Sequence, residues 1–294
     1  MHFVASILNP SAIRTLSLLF PSNILTPAAA PDGFHRVTVD DGAHQRLLSD
    51  VQKFRGRIAL EENAISPGQL TSDGRHIQPA DDRGIHLVGT DGSGKVVSCM
   101  RYLPHANTTH WTELRVFYTP LAADARWRPV LEAAIGAELE RARQLNYTYV
   151  ELGGWVITEE LRHSLEAARM VATAYALARF FGGALGLTTA TTKHGSSSVL
   201  RRLGGSSLCA LGEELPPFYD PQYNCEMEIL RFDSAHPGRR CAQAIQHCEE
   251  ALTQLPVILP QPARPCLPAL AAFVGGADAL VCASPPGPAP SCAG

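Results

Sequence analysis

The sequence predicts an α/β fold, a sheet covered by helices with an antiparallel hairpin within it, and three observations predict it. The β-rich runs Ile85-His-Leu-Val-Gly-Thr and Lys95-Val-Val-Ser-Cys-Met-Arg-Tyr-Leu flank Asp91-Gly-Ser-Gly, a glycine-bearing hairpin turn. Two stretches, 130–145 and 165–181, carry apolar residues at helical spacing. Between and after them lie β-branched or alternating runs at 147–157, 187–192 and 225–232. The chain has 294 residues, 45% of them hydrophobic, and buries a core without disulfides or a structural metal.

The elements follow in order. Residues 1–34 are mildly apolar and read as a loosely ordered N-terminal extension; the start is not basic and Arg14 interrupts the apolar run, unlike a secretory leader. The folded domain is expected over 35–255. Residues 37–39 signal a short strand, and 43–65 a helix with Leu47, Leu48, Val51, Phe54, Ile58 and Leu60 on its stripe. A polar loop with Asp73, Asp81 and Asp82 leads to the hairpin, and 112–118 is a further strand candidate. In the helix 130–145, Leu131, Ile135, Leu139 and Ala142 share one face and Asn146 ends it.

The strand 147–157 is broken by Gly153-Gly154. The helix 165–181 is apolar nearly all round, hence buried, and Gly182, Gly183 and Gly186 follow it. A strand at 187–192, a short helix at 196–203, a strand at 225–232 and a helix at 239–255 complete the domain. From 256 to 294 prolines crowd a Pro/Ala-rich tail that neither helix nor sheet crosses, with 267–281 either a docking helix or part of a disordered end.

Charge and composition exclude several classes. With 25 basic and 28 acidic side chains the net charge is −3, so nucleic acid is not an expected partner. No run of about 18 apolar residues suggests a membrane span. Eight scattered cysteines without a C-x-x-C pair read as reduced thiols of a cytoplasmic protein, and Cys241, His247 and Cys248 lack the second pair that a zinc site needs. No metal is expected. A serine hydrolase is a poor reading because no Gly-x-Ser-x-Gly is present.

The sharpest local feature is the glycine break followed by a helix beginning near Ser164, a reasonable N-cap. A glycine within a strand marks a bulge or a close backbone approach, and a helix start offers free amides to a phosphate. The pair suits a ligand with a phosphate at one end and an acyl group at the other; it also serves as plain structural punctuation.

The order hairpin, helix, Gly-broken strand, helix, strand, short helix, strand resembles the GNAT superfamily of N-acetyltransferases, more narrowly its N-acyl amino acid synthase and acyl-homoserine lactone synthase branch. The resemblance covers roughly 45–235 and rests on Asp81-Asp82 before the hairpin, on Arg101-Tyr-Leu-Pro and on Val150-Glu-Leu-Gly-Gly-Trp-Val-Ile. It continues through His194 ahead of Leu200-Arg-Arg-Leu-Gly and Phe218-Tyr-Asp-Pro-Gln-Tyr-Asn-Cys-Glu-Met-Glu-Ile-Leu-Arg-Phe-Asp. It implies a mixed, largely antiparallel sheet with splayed central strands flanked by helices. It also implies transfer of an acyl group, of long chain, from a thioester on coenzyme A or an acyl carrier protein to the amine of a small acceptor such as an amino acid. The acyl thioester is a co-substrate, and no permanently bound cofactor is implied.

Roles come with the resemblance. Glu151 is the candidate base, or a solvent-facing strand carboxylate. Gly153 and Gly154 mark the backbone oxyanion site, and His194 is a candidate to polarise the leaving group. Trp155 and Val156 would wall the acyl-donor path, although a tryptophan there also reads as core. Arg162, Ser164 and Ala167 would meet the donor phosphate. Asp82 and Arg101 would form an ion pair at the substrate mouth, and Arg201-Arg202 is a small basic patch for a carrier protein or a solvated helix face. In the phosphate loop Leu165 replaces a glycine and Glu166 adds a like charge, which favours a carrier protein over coenzyme A. Gly154 stands where the lactone synthases carry arginine, which favours an acyl amino acid product over a lactone. The competing reading is a catalytically inert acyl- or carrier-binding protein on the same fold.

Overall fold

The computed structural model describes residues 15–21, 33–162, 164–239 and 241–261. The strands are β1 (Thr15–Leu19), β2 (Arg36–Val39), β3 (Ile85–Thr90), β4 (Val96–His105), β5 (Thr148–Ile157), β6 (Ala184–Thr191), β7 (Phe218–Asp220), β8 (Cys225–Asp233) and β9 (Pro256–Leu259). They hydrogen-bond in the order β7-β8-β6-β5-β4-β3-β1-β9-β2, and the two-residue strand Ser206–Ser207 also pairs with β8. The pairs β5–β6, β1–β9 and β9–β2 are parallel and the others antiparallel, so the sheet is mixed and largely antiparallel, as expected.

Helices cover both faces. Besides the single turn Pro120–Ala123 they are α1 (Asp41–Glu61), α2 (Trp127–Leu145), α3 (Glu166–Phe180), α4 (Ser196–Arg202) and α5 (Ala242–Leu252). Strand alternation sorts the core. Leu18, Leu87, Met100 and Val150 point into one cluster with α3, α4 and α5. Their neighbours Leu19, Val88 and Cys99 pack under α1, and Tyr149, Leu185 and Leu187 pack under α2. The Asp40 side chain accepts from the Ala43 amide at 2.9 Å and caps α1. At the end of α2, Asn146 takes the left-handed conformation (φ 54°), as its position predicts.

Three expectations are corrected. The boundaries at 34 and 255 are too narrow. Thr15–Leu19 is an inner strand between β3 and β9, and Pro256–Leu259 lies between β1 and β2. β1 is short, with Leu16, Leu18 and Leu19 all buried, so it shows no alternation to read. In β9 the proline stands at the first position, where a missing amide costs little.

Residues 112–118 are not a strand either. They form two 3₁₀ turns, Trp111–Glu113 and Arg115–Tyr118, which bury Trp111, Leu114 and Val116 against α2. The tail after 261, with the candidate docking helix at 267–281, lies outside the described residues.

Candidate active site

β5 and β6 are partners for only half their length. Their register runs from Thr148↔Ala184 to Glu151↔Leu187 and stops. Beyond it β5 stays with β4 and β6 with β8, so the two strands part. At the fork the Thr188 hydroxyl donates to the Leu152 carbonyl at 2.8 Å. The β5–β4 ladder is bulged here. Cys99 faces Val156 and Arg101 faces Gly153, so β5 spends one residue more than β4 over this step. Gly154 absorbs it with φ +56°, a conformation that side chains disfavour. The expected splay and glycine break are therefore one device, a bulge that swings the second half of β5 away from β6.

A cavity of about 250 Å³ fills the fork. Its sides are the diverging segments 152–157 and 187–191; α1 contributes Arg55 and Ile58, its C-cap Glu62 follows, and the other face contributes Ala167, Val199 and Leu200. Since α1 and α3–α4 pack on opposite faces of the sheet, the cavity passes through the sheet. Arg115, Gln222 and Tyr223 line it as well, and burial raises the Tyr223 hydroxyl above its ordinary pKa.

On the α1 side a buried charge network borders the cavity. Asp81 accepts from Arg55 Nη1 and Nη2 at 3.0 and 2.6 Å, from Arg101 Nη1 at 2.7 Å and from Gln52 at 3.1 Å. Burial works against the carboxylate, but the hydrogen bonds and charge of Arg55, then the Gln78 backbone amide and the charge of Arg101, hold its pKa at about 2. The Asp81 carbonyl accepts from His86 Nε2 at 2.9 Å, and burial lowers that imidazole to about 4. Arg101 lies so close over Gly84 that a Cβ there would meet its Cγ at 2.5 Å. The expected mouth pair is corrected by one residue: Arg101 pairs with Asp81, while Asp82 is exposed. The turn before β3 points one of two adjacent carboxylates inward, which composition does not distinguish.

Glu151 is buried, not solvent-facing, and lines the cavity at the last doubly paired position of β5. Its Oε1 accepts from the Arg115 amide at 2.8 Å and its Oε2 from His105 Nε2 at 2.9 Å. Gly153, Gly154, Trp155, Val156, Arg101, Arg162 and Ala167 reach the same cavity. Trp155 also packs on the α3-side core, and its Nε1 is buried without a hydrogen-bond partner among the described residues.

Arg162 forms an ion pair with Glu62 across the cavity from α1. Ser164 is exposed and sits one position before the α3 cap. Its hydroxyl donates to the Leu161 carbonyl at 2.7 Å and accepts from the Glu166 amide at 3.2 Å. Glu166 itself is buried in the first turn of α3. His194 falls in the turn Lys193–Gly195 directly after β6. Arg201 is held by Glu228 at 2.7 Å, and Arg202 donates to Ser198 at 3.0 Å.

Sequence reading missed Arg55, His105, Arg115 and Tyr223. For Arg55 a signal existed: with Gln52 it interrupts the stripe Val51, Phe54, Ile58, and a charged residue on a buried helix face needs a buried partner. His105 follows directly on the Arg101-Tyr-Leu-Pro run.

Comparison with protein-family models found no match, and no curated protein matches. Among solved structures the fold is similar to BjaI, a CoA-dependent acyl-homoserine lactone synthase, solved with SAM and isopentyl-CoA. Identity is 16%, 77% of this chain and 91% of that chain are covered, and the TM-score is 0.48. It is also similar to FeeM, an N-acyl amino acid synthase from uncultured soil microbes, at 10% identity, 67% and 88% coverage and TM-score 0.37. A third is a mutant agmatine N-acetyltransferase in apo form, at 13% identity, 69% and 100% coverage and TM-score 0.41.

Proposed function

We propose that the chain is an N-acyltransferase that moves an acyl group from a thioester to the amine of an amino acid. One observation carries this reading: a buried, anchored carboxylate stands where β5 loses its partner, beside a cavity that crosses the sheet. A thioester arm fits such a fork as an extra strand would. It meets peptide groups that alternate along β5 and have no strand partner on that edge.

The chemistry follows. The acceptor arrives as an ammonium and Glu151 takes one proton from it, directly or through a water. The neutral nitrogen attacks the thioester carbonyl, and a backbone amide near the Gly153-Gly154 bulge holds the oxyanion. The C–S bond breaks as the intermediate collapses. The nitrogen's second proton goes to the sulfur, leaving an amide and a free thiol. Trp155, Val156 and Ala167 wall the donor path, and His194 remains the candidate for a hydrogen bond to the leaving sulfur.

Electrostatics support an acceptor with its own carboxylate. Arg55 and Arg101 share the single Asp81, and the Arg115 guanidinium has no ion-pair partner among the described residues. The cavity wall therefore carries surplus positive charge.

For the donor, we favour an acyl carrier protein over coenzyme A. Glu166 places a carboxylate at the start of α3, and Arg162 is already engaged by Glu62. A like charge in that turn opposes a pyrophosphate more than a single phosphate. We place the reaction in the cytoplasm; the five described cysteines are all free.

The test is incubation with acyl-carrier thioesters and acyl-coenzyme A plus pooled amino acids, read by thiol release and mass spectrometry. Acyl amino acid supports the reading. Saturable donor binding without turnover supports an inert acyl-binding protein, and fatty acid alone means hydrolysis. Equal kcat/KM for the two donors would remove the carrier preference.

A further inference from the structure

We propose that His105 is a positioning residue that keeps the Glu151 carboxylate aimed at the cavity; this rests on the reading of Glu151 as base. Glu151 lies opposite Leu103 in the β4–β5 ladder, and His105 is two residues further along β4. The two side chains are thus diagonal neighbours on one face of the sheet. Their contact is 2.9 Å, with 8% of the imidazole and 6% of the carboxylate exposed. Glu151 borders the cavity, whereas His105 stands behind it.

The bond's direction is set by chemistry. An ionised carboxylate only accepts, so His105 Nε2 carries the proton in this contact. A carboxylate offers about four lone-pair sites. The His105 Nε2–H and the Arg115 N–H occupy two of them, one on each oxygen, and fix the group's plane. The remaining acceptor positions stay available to an acceptor ammonium.

Other charges bear on the pair. Tyr149, opposite His105 on β5, is pushed well above its ordinary value by burial, then by Glu138 of α2 and by Glu151. Arg231 of β8 acts on Tyr149 in the opposite sense. Arg115 follows the first 3₁₀ turn, and Arg101 lies on β4 on the far side of Leu103. None of these groups donates a side-chain hydrogen bond to Glu151; His105 does.

The experiment compares two amide variants of similar polarity. His105→Gln places an amide N–H near the position of Nε2, and His105→Asn stops short of it. The full chain is used, and kcat and KM are read separately for each variant. In H105N the neutral-pH kcat should fall about tenfold with KM nearly unchanged, since a misaimed base slows proton transfer and leaves binding alone. H105Q should restore most of it, and H105N should add no loss in an E151Q background. Equal behaviour of H105N and H105Q, a change confined to KM, or an additive loss in E151Q each overturns the proposal. If E151Q instead turns over at the wild-type rate, the base reading fails, whatever the His105 variants do.

Discussion

The two halves of β5 share a backbone and differ in everything else. Over Tyr149–Glu151 the strand has a partner on each side, and all three residues are buried. Over Leu152–Ile157 it has β4 alone, every residue is half-buried, and a bulge turns its free edge toward a cavity. The first half is held by packing and a complete ladder. The second half is held open by a charge network on one side and α3–α4 on the other. A strand can therefore switch from closed ladder to cavity wall within one residue, and Glu151 stands at the switch. Stability should concentrate in the first half and its supports, and activity in the second.

The largest expected effect tests the support of the open half. Asp81→Asn leaves two buried guanidinium groups sharing no carboxylate, and removing one partner of a buried ion pair typically costs about 3–5 kcal/mol. Denaturant melts should show that loss. A cost below about 1 kcal/mol would mean that the arginines are hydrated and the network does not brace the fork.

Acid should expose the same network in two steps. His86 has a folded pKa of about 4 against an ordinary value near 6.5, so the unfolded chain takes up a proton that the folded chain refuses. Stability should fall as pH drops from about 6.5 to 4, by up to roughly 3 kcal/mol. Asp81, lowered to about 2, contributes stability that is present above its unfolded value near 4 and lost between about 4 and 2. His86→Gln should flatten the first step and leave the second. Equilibrium unfolding at four or five pH values decides this.

On the activity side, Glu151→Gln should lower kcat about 10²-fold with melting and donor binding nearly unchanged. Part of the loss should return at higher pH, where more acceptor is already neutral. Retention of more than about half of wild-type turnover across that range would place Glu151 among the structural residues of the paired half.

The smallest effect sharpens the boundary itself. Gly154→Ala forces a side chain into left-handed backbone, a strain of about 1–2 kcal/mol, with Arg55 Nη1 3.5 Å from the new Cβ. The bulge should shift, and kcat/KM should fall more than stability does. A melt unchanged to within about 0.3 kcal/mol with full activity would show that the bulge is not held by this glycine.

Much of this was legible in order and little in depth. The hairpin, both long helices and the Gly-broken strand stand where alternation, helical spacing and turn chemistry put them, because those signals are local. The break at Gly153-Gly154 was legible for a similar reason, since a glycine pair inside a strand has few uses, whereas Glu151 was singled out only through the family resemblance. β1 and β9 were not, since short apolar runs carry no periodicity and gain strand character only by pairing with each other and with β3 and β2. The run 112–118 looked extended by residue type, but burial of Trp111, Leu114 and Val116 at uneven spacing wound it into 3₁₀ turns.

What the sequence by itself determined is the alternation of elements and the place where one strand must break. Both follow from backbone sterics and side-chain periodicity over a few residues. Which aspartate meets Arg101, that Arg55 joins it, and that His105 stands behind Glu151 were decided only by tertiary structure. Each contact joins residues 20 to 46 positions apart. A buried charge takes whatever opposite charge or donor the fold brings within about 3 Å, and no local rule ranks those partners in advance.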